Sequence, residues 1–199
     1  MVFSRTHFIV SFLVVLIPIA ASFSFNFATI GPQNQNRDIV TEGDGAYISD
    51  GGIQVTPDGI GSNRSRKAGR ATFIRPLHLW DNRAMGLPVN LTTIEPMSRF
   101  VAVEFDTYWT KWLSNVTGGG VCQAWIRYDS GSRNLSVSFT GYQNGTVVRQ
   151  DGLVYTVDLR NELPEWVIFG FTAATGADFQ KHNVRSWTFD SSDLQEEEE

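Results

Sequence analysis

The chain has 199 residues, a length typical of one domain. Hydrophobic residues make up 42% of it, which supplies a core and excludes wholesale disorder. The net charge is −5, and the four C-terminal glutamates account for most of it. An acidic chain of this kind is not a nucleic-acid binder that works by neutralising phosphates.

The first 22 residues have the pattern of a secretory signal peptide. Arg5 precedes an apolar run over residues 8–20, and small residues follow at 20–22. The run is too short to span a bilayer, which needs about 20 apolar residues, and we expect no transmembrane segment elsewhere. The sequence therefore predicts a signal peptide at 1–22, a domain at 23–190, an acidic tail at 191–199 and secretion.

Asparagine sequons and a lone cysteine are consistent with that route. We expect the acceptor asparagines to be exposed and glycosylated. They are Asn63, Asn90, Asn115, Asn134 and Asn144. Cys122 is the only cysteine, so no disulfide forms within the chain, and alternation predicts that it points into a core as a small hydrophobe.

Alternating apolar and polar residues dominate the rest of the chain, and a long amphipathic helix is not predicted. Residues 47–55 are predicted to form a pair of strands around the Asp-Gly-Gly sequence at 50–52. The other predicted strands, in chain order, cover residues 23–27, 71–80, 100–109, 121–128, 135–139, 154–159, 166–172 and 184–189. Residues 129–132 and 142–145 are predicted turns, and residues 159–163 form at most one helical turn. The pattern indicates an antiparallel β-sandwich, with Trp80, Trp125, Trp166 and Trp187 expected in its core.

The most informative stretch is residues 101–109. On a strand, Glu104, Asp106 and Tyr108 share one face. Two carboxylates on so apolar a strand need a metal ion, an arginine or water. Oxygen ligands suit Ca²⁺ or Mn²⁺, although the spacing alone favours a solvated face with an ordinary salt bridge.

Several blocks, in the same order, resemble those of the legume-type (L-type) lectins, the family of plant seed lectins and of lectin receptor kinase ectodomains. The blocks are residues 25–27 (FNF), 69–71 (GRA), 76–81 (PLHLWD), 103–108 (VEFDTY), 124–128 (AWIRY), 134–137 (NLSV), 158–160 (DLR), 163–167 (LPEWV), 170–176 (GFTAATG) and 186–189 (SWTF). The resemblance implies an all-β, antiparallel, concanavalin-like jelly-roll β-sandwich that binds carbohydrate or glycoprotein glycans beside a Mn²⁺/Ca²⁺ pair.

The resemblance also assigns roles to individual residues. Glu104 would ligate the transition metal, Asp106 would bridge both metals, and Tyr108 would offer its backbone carbonyl to Ca²⁺. The residues that would contact the sugar are Tyr108, Ala174, Thr175 and Gly176.

The sequence departs from the family pattern in two places. Thr110 stands where the family has an asparagine that ligates Ca²⁺ and bonds the sugar, and the following aspartate and histidine ligands have no counterpart. Only residues 82–100 connect two blocks that the family separates by several strands, one of which carries the main sugar-orienting aspartate. We therefore expect some strands to be lacking, metal binding to be weak or absent, and unpaired sheet edges to favour a homodimer.

Three functions fit the resemblance. The first is a secreted, non-enzymatic lectin-like protein with weakened or altered sugar and metal binding. The second is a protein-binding defence factor, such as a lectin-derived amylase inhibitor. The third is a glycoside hydrolase on the same sandwich, which is disfavoured because residues 108 and 110, next on the carboxylate face, are Tyr and Thr. The sequence leaves open whether the chain is a truncated receptor-kinase ectodomain or a mispredicted gene product.

Overall fold

A computed structural model describes residues 23–57, 66–73, 99–106, 115, 118–163, 167–177 and 180–191. These residues are mostly strand, and every strand pair among them is antiparallel. The predicted antiparallel all-β class is thus confirmed. None of the helices in these ranges is long and apolar enough to cross a membrane.

The strands in chain order are β1 Phe23–Phe27, β2 Ile39–Gly43, β3 Tyr47–Ser49, β4 Gly52–Gln54, β5 Ala68–Phe73, β6 Ala124–Asp129, β7 Asn134–Gln143, β8 Thr146–Thr156, β9 Gly170–Ala174, β10 Asn183–Val184 and β11 Trp187–Ser191. A 3-10 turn at Pro32–Asn34 follows β1, and one helical turn, α1 Leu159–Glu162, follows β8. The sheets are β1–β11, β10–β4–β3, β2–β5–β9 and β6–β7–β8.

The buried core lies among β2, β3, β4, β5 and the segment after β1. Its side chains are Ile30, Ile39, Ile48, Ile53, Val55 and Ala71, all of them at most 5% exposed. Phe27, Phe171, Ala173, Val184 and Trp187 pack around this cluster from β1, β9, β10 and β11. We call the strands β1–β5 and β9–β11 the core region. Trp187 thus takes the predicted packing role, since its ring meets Phe25 edge-on at 4.8 Å.

Within the core region, strand β5 runs between β2 and β9 and passes unusually close to the chain after β4. A Cβ atom added at Gly69 would overlap the backbone carbonyl oxygen of Val55. Gly69 therefore lets β5 lie directly against Val55, which places the start of β5 beside the end of β4. Arg70 on β5 donates through Nε to Glu42, its cross-strand neighbour on β2, at 2.6 Å.

The remaining sheet, β6–β7–β8, is a meander that we call the hairpin sheet. The predicted hairpin around residues 129–132 is confirmed, with Asp129 paired to Asn134. Asn144 and Gly145 have φ values of 51° and 78°, which suit a two-residue turn joining β7 to β8. Strand β8 starts at Thr146 and ends at Thr156, so the strand predicted at 154–159 was placed too late in the chain.

Three other predictions are corrected. Residues 100–106 of the strand predicted at 100–109 belong to no sheet, because alternation sets the two faces of a strand but cannot supply a pairing partner. The single strand predicted at 184–189 is two strands, β10 and β11, in different sheets. Trp125 is 41% exposed because it projects from the hairpin sheet rather than into the core. Trp80 and Trp166 lie outside the described residues.

Candidate functional site

The resemblance assigns sugar contact to Ala174, Thr175 and Gly176, which lie at the end of strand β9 and in the loop that follows it. Ala174 pairs with Ala68 at the start of β5, so the loop leaves the sheet beside residues 66 and 67. It returns to the core region at residues 180–182 and enters β10, which pairs with β4. We call residues 173–182 the sugar loop; residues 178 and 179 within it are outside the described part of the chain.

The first half of the sugar loop is fixed to the segment before β5. The backbone N–H of Thr175 donates to the carbonyl oxygen of Lys67 at 2.8 Å. The N–H of Lys67 donates to the Thr175 hydroxyl at 3.0 Å. The N–H of Arg66 donates to the carbonyl oxygen of Gly176 at 2.8 Å. These reciprocal bonds define the backbone path of Thr175 and Gly176.

The second half of the sugar loop is fixed to the end of β4. The N–H of Val55 donates to the carbonyl oxygen of His182 at 2.9 Å. The Thr56 hydroxyl lies 3.0 Å from the carbonyl oxygen of Gln180 and 3.0 Å from Nδ1 of His182. Burial lowers the pKa of His182 below its ordinary value, which keeps the ring neutral at pH 7.

The predicted sugar-contacting residues thus use some of their backbone groups for hydrogen bonds within the protein. The Thr175 N–H and the Gly176 carbonyl each have a backbone partner, and Ala174 lies within the β5–β9 pairing. Gly176 is exposed, and a Cβ added there would meet no atom of the described residues within 4 Å. Gly176 is therefore the solvent-exposed member of the predicted sugar-contacting residues that the structure describes.

The predicted metal-binding residues lie elsewhere, in the segment without strand pairing. Glu104 is exposed and Asp106 is half-buried. Phe105, between them, faces Phe139 of β7 edge-on at 5.9 Å. Tyr108 lies outside the described residues, and so do positions 107 and 109–114.

Ca²⁺ and Mn²⁺ are the ions that the resemblance implies. Across the ranges that the structure describes, no group of three or more Asp, Glu, His or Cys side chains could hold such an ion. Glu104 and Asp106 alone do not make a calcium site, because Ca²⁺ takes about 6–8 oxygen ligands. Weak or absent metal binding stays a prediction.

The acceptor asparagines differ in their surroundings. Asn115 and Asn144 are exposed, each with a positive φ near 50°. Asn134 is half-buried on β7, and its Oδ1 accepts a hydrogen bond from the Thr156 hydroxyl at 3.1 Å. Asn134 is therefore less exposed than Asn115 and Asn144, and its glycosylation stays a prediction. Asn63 and Asn90 lie outside the described residues.

Cys122 follows its predicted role in part. The side chain is half-buried, and burial raises the pKa of the thiol above its ordinary value. A raised pKa lowers the thiolate fraction, which makes the thiol less reactive. This agrees with the interpretation of Cys122 as a small hydrophobe rather than a nucleophile.

The residues that hold the sugar loop in place were not singled out from the sequence. Thr56, Lys67 and His182 contact the loop, yet Thr56 and His182 are separated by 126 positions. The pairing of β4 with β10 that brings these residues together has no signature in either segment.

Comparison with known proteins places the chain in a family. A family model described as the legume lectin domain matches residues 108–199. Agglutinin-2 of Cladrastis kentukea is 31% identical over 255 residues, which cover 92% of this chain and 87% of that protein. The aligned region is longer than the chain itself, so the relative has internal segments without a counterpart here.

Solved structures agree at the level of the fold. The basic winged bean lectin with Tn-antigen has a TM-score of 0.64 at 23% identity, covering 86% of this chain and 99% of that one. Arcelin-5, a lectin-like defense protein from Phaseolus vulgaris, has a TM-score of 0.57 at 20% identity, covering 87% of this chain and 99% of that one. The jelly-roll β-sandwich, lacking some strands, is the fold of this chain. The chain therefore belongs to the legume lectin family, whose members are carbohydrate-binding proteins rather than enzymes.

Proposed function

We propose that this chain binds glycans through the sugar loop, with weakened or altered affinity and without tightly held metal ions. The observation that carries the proposal is that the loop is hydrogen-bonded to the core region on both sides, at Lys67 and at Thr56. A loop held in one conformation loses little entropy when a ligand binds, so its backbone groups are ready to meet sugar hydroxyls.

The metal part of the proposal rests on the ligand set. Thr110 replaces the asparagine that the family uses, and the later aspartate and histidine ligands have no counterpart. In a complete site, ions hold binding groups in place and need not touch the sugar. Here hydrogen bonds from Thr56 and Lys67 supply that support to the sugar loop.

A glycan array, read with Ca²⁺ and Mn²⁺ and again with a chelator, tests the binding. Gly176→Val places a side chain into open space at the exposed position of the loop, and we expect binding to fall about tenfold or more. Gly131→Val is the matched control, because Gly131 is also exposed, has no positive φ and lies in the β6–β7 turn. Binding to no glycan, or equal binding by both variants, contradicts the proposal.

The defence-factor alternative shares the fold, and the protein purified for the glycan array also tests it. If the protein binds no glycan on the array but captures digestive amylases in a pull-down, the defence-factor alternative is favoured. The comparisons themselves do not favour it, because a structural likeness at 20% identity shows the fold alone.

Secretion and glycosylation are part of the proposal. They are supported by the pattern of residues 1–22 and by the exposed acceptors Asn115 and Asn144. Expression in a eukaryotic secretory host, followed by peptide mass spectrometry of the medium, tests both. We expect a processed N-terminus near residue 22 and a glycan at Asn144; intracellular, unmodified protein contradicts this part.

A homodimer through sheet edges is proposed as well. Among the described strands, β8 stands at one end of the hairpin sheet and has 11 residues, and an edge strand of that length favours pairing with another chain. Sedimentation analysis is expected to show a dimer that Val154→Lys, a charge on this exposed strand, dissociates. A monomer at all concentrations contradicts the dimer.

A further inference from the structure

Thr56 occupies an unusual position for a polar residue, immediately after strand β4 and completely buried. Its relative exposure is 0%, and its hydroxyl faces two residues of the sugar loop. The Oγ1 atom lies 3.0 Å from the carbonyl oxygen of Gln180 and 3.0 Å from Nδ1 of His182. The Thr56 hydroxyl group thus contacts two residues in the second half of the sugar loop.

The chemistry of these three groups fixes the direction of both hydrogen bonds. A carbonyl oxygen only accepts, so the single hydroxyl proton of Thr56 goes to Gln180. The Thr56 oxygen must then accept from His182, which places the proton of the neutral imidazole on Nδ1. The His182 ring also hydrogen-bonds to the Gln180 backbone, so the Thr56 hydroxyl completes a set of contacts that ties these two loop residues to the end of β4.

The environment of Thr56 holds that hydroxyl in place. The Gln54 side chain, itself 1% exposed, donates through Nε2 to the Thr56 carbonyl oxygen. The N–H of Val55 donates to the His182 carbonyl at 2.9 Å. The backbone at 54–56 is therefore bound on both sides of Thr56, and its side chain has little freedom to turn away from the loop.

We infer that Thr56 is a positioning residue of the sugar loop, and that its hydroxyl sets the path of Gln180 and His182. Where the inference concerns sugar, it rests on the function proposed above. Where it concerns the conformation of the loop, it rests on the contacts alone. Thr56 acts through the loop and touches no ligand.

Three variants test the inference. Thr56→Val keeps the shape and removes the hydroxyl, and Thr56→Ser keeps the hydroxyl. Thr72→Val is the matched control, because the buried Thr72 hydroxyl on β5 has no hydrogen-bond partner among the described residues. Backbone amide exchange of peptides covering residues 173–182 and glycan affinity are measured on each variant.

We expect Thr56→Val to speed amide exchange in the sugar loop by about fivefold to tenfold, which corresponds to one buried hydrogen bond. Glycan affinity is expected to fall by a similar factor. Thr56→Ser and Thr72→Val should exchange like the wild type. Unchanged exchange in Thr56→Val, or equal acceleration in Thr72→Val, overturns the inference.

The test also gives an answer if the wild type binds no glycan or if a variant does not fold. If the wild type binds no glycan, the proposed function fails, and the exchange data still decide the role of Thr56. If Thr56→Val does not fold, His182→Phe and His182→Asn replace it, since an asparagine amide places a donor where Nδ1 stands. Faster loop exchange in His182→Phe than in His182→Asn supports the inference, and equal exchange overturns it.

Discussion

The strands of the core region and of the hairpin sheet both alternate apolar and polar residues, but their apolar side chains differ in burial. In the core region, Ile53 on β4 is fully buried, at 0% exposure. In the hairpin sheet, Ile126 on β6 pairs across the strands with Val137, yet it is 54% exposed. Alternation decides which face a side chain joins, whereas a second layer decides whether that face is buried.

The apolar face of the hairpin sheet shows the difference most clearly. Val137 on β7 is 8% exposed, because its neighbours on both sides cover it. Those neighbours, Ile126 and Leu153, are more than half exposed. A contiguous exposed apolar face is uncommon in a monomer, and it fits a sandwich that lacks some of its strands.

The largest expected effect contrasts one substitution in the two regions. Ile53→Ala removes a fully buried side chain and should lower the free energy of unfolding by about 2–5 kcal/mol. Ile126→Ala removes a half-exposed one and should cost less than about 1 kcal/mol. Urea unfolding measures both, and equal losses would contradict the assignment of the core.

A second contrast uses two glycines. Gly69→Ala pushes a Cβ atom against the backbone carbonyl of Val55, so we expect a loss of about 1–3 kcal/mol from overpacking. Gly145→Ala meets open space and suffers only from its φ of 78°, with an expected loss of about 1 kcal/mol. Thermal unfolding of the two variants compares them, and a larger loss at Gly145 would refute the close approach of β5.

Ion pairs sharpen the comparison further. Glu42 and Arg70 in the core region are 18% and 11% exposed, whereas Asp151 and Arg149 in the hairpin sheet are 58% and 52% exposed. Glu42→Gln leaves a largely buried guanidinium without its carboxylate, and we expect a loss of about 1–3 kcal/mol. Asp151→Asn should leave the unfolding midpoint unchanged, because water screens an exposed pair.

The smallest expected effect is a pH dependence confined to the core region. Burial lowers the pKa of His182 in the folded state, so the unfolded state binds more protons as the pH falls below about 6.5. Stability is therefore expected to decline as the pH drops from 7 toward 5. His182→Asn should flatten that decline in thermal unfolding, and an unchanged slope would show that His182 does not titrate in this range.

Local signals in the sequence identified much of the fold. The Asp-Gly-Gly turn between β3 and β4, the hairpin of β6 and β7 and the short helical turn at Leu159–Glu162 all follow from nearby residues. In the same way, Asp158 caps that turn by accepting from the N–H of Arg160. The side-chain hydrogen bond from Arg160 lowers the pKa of the carboxyl to about 2.

The remaining features of the fold and of the candidate site depend on contacts between residues that are far apart in the sequence. Residues 100–106 alternate well but pair with no strand among the described residues, and Trp125 stays 41% exposed. The resemblance assigns sugar contact to residues after β9, yet the residues that hold this loop, Thr56 and Lys67, come from segments more than 100 positions away. The local sequence of a segment does not indicate which distant part of the chain will pack against it.

The most direct test of the account is a calorimetric titration of purified protein with its best glycan, in the presence of a chelator and then with Ca²⁺ and Mn²⁺. The account predicts weak binding of the same affinity under both conditions, because Thr56 and Lys67 hold the sugar loop without ions. Binding that appears only after tight uptake of two divalent ions per chain would contradict it.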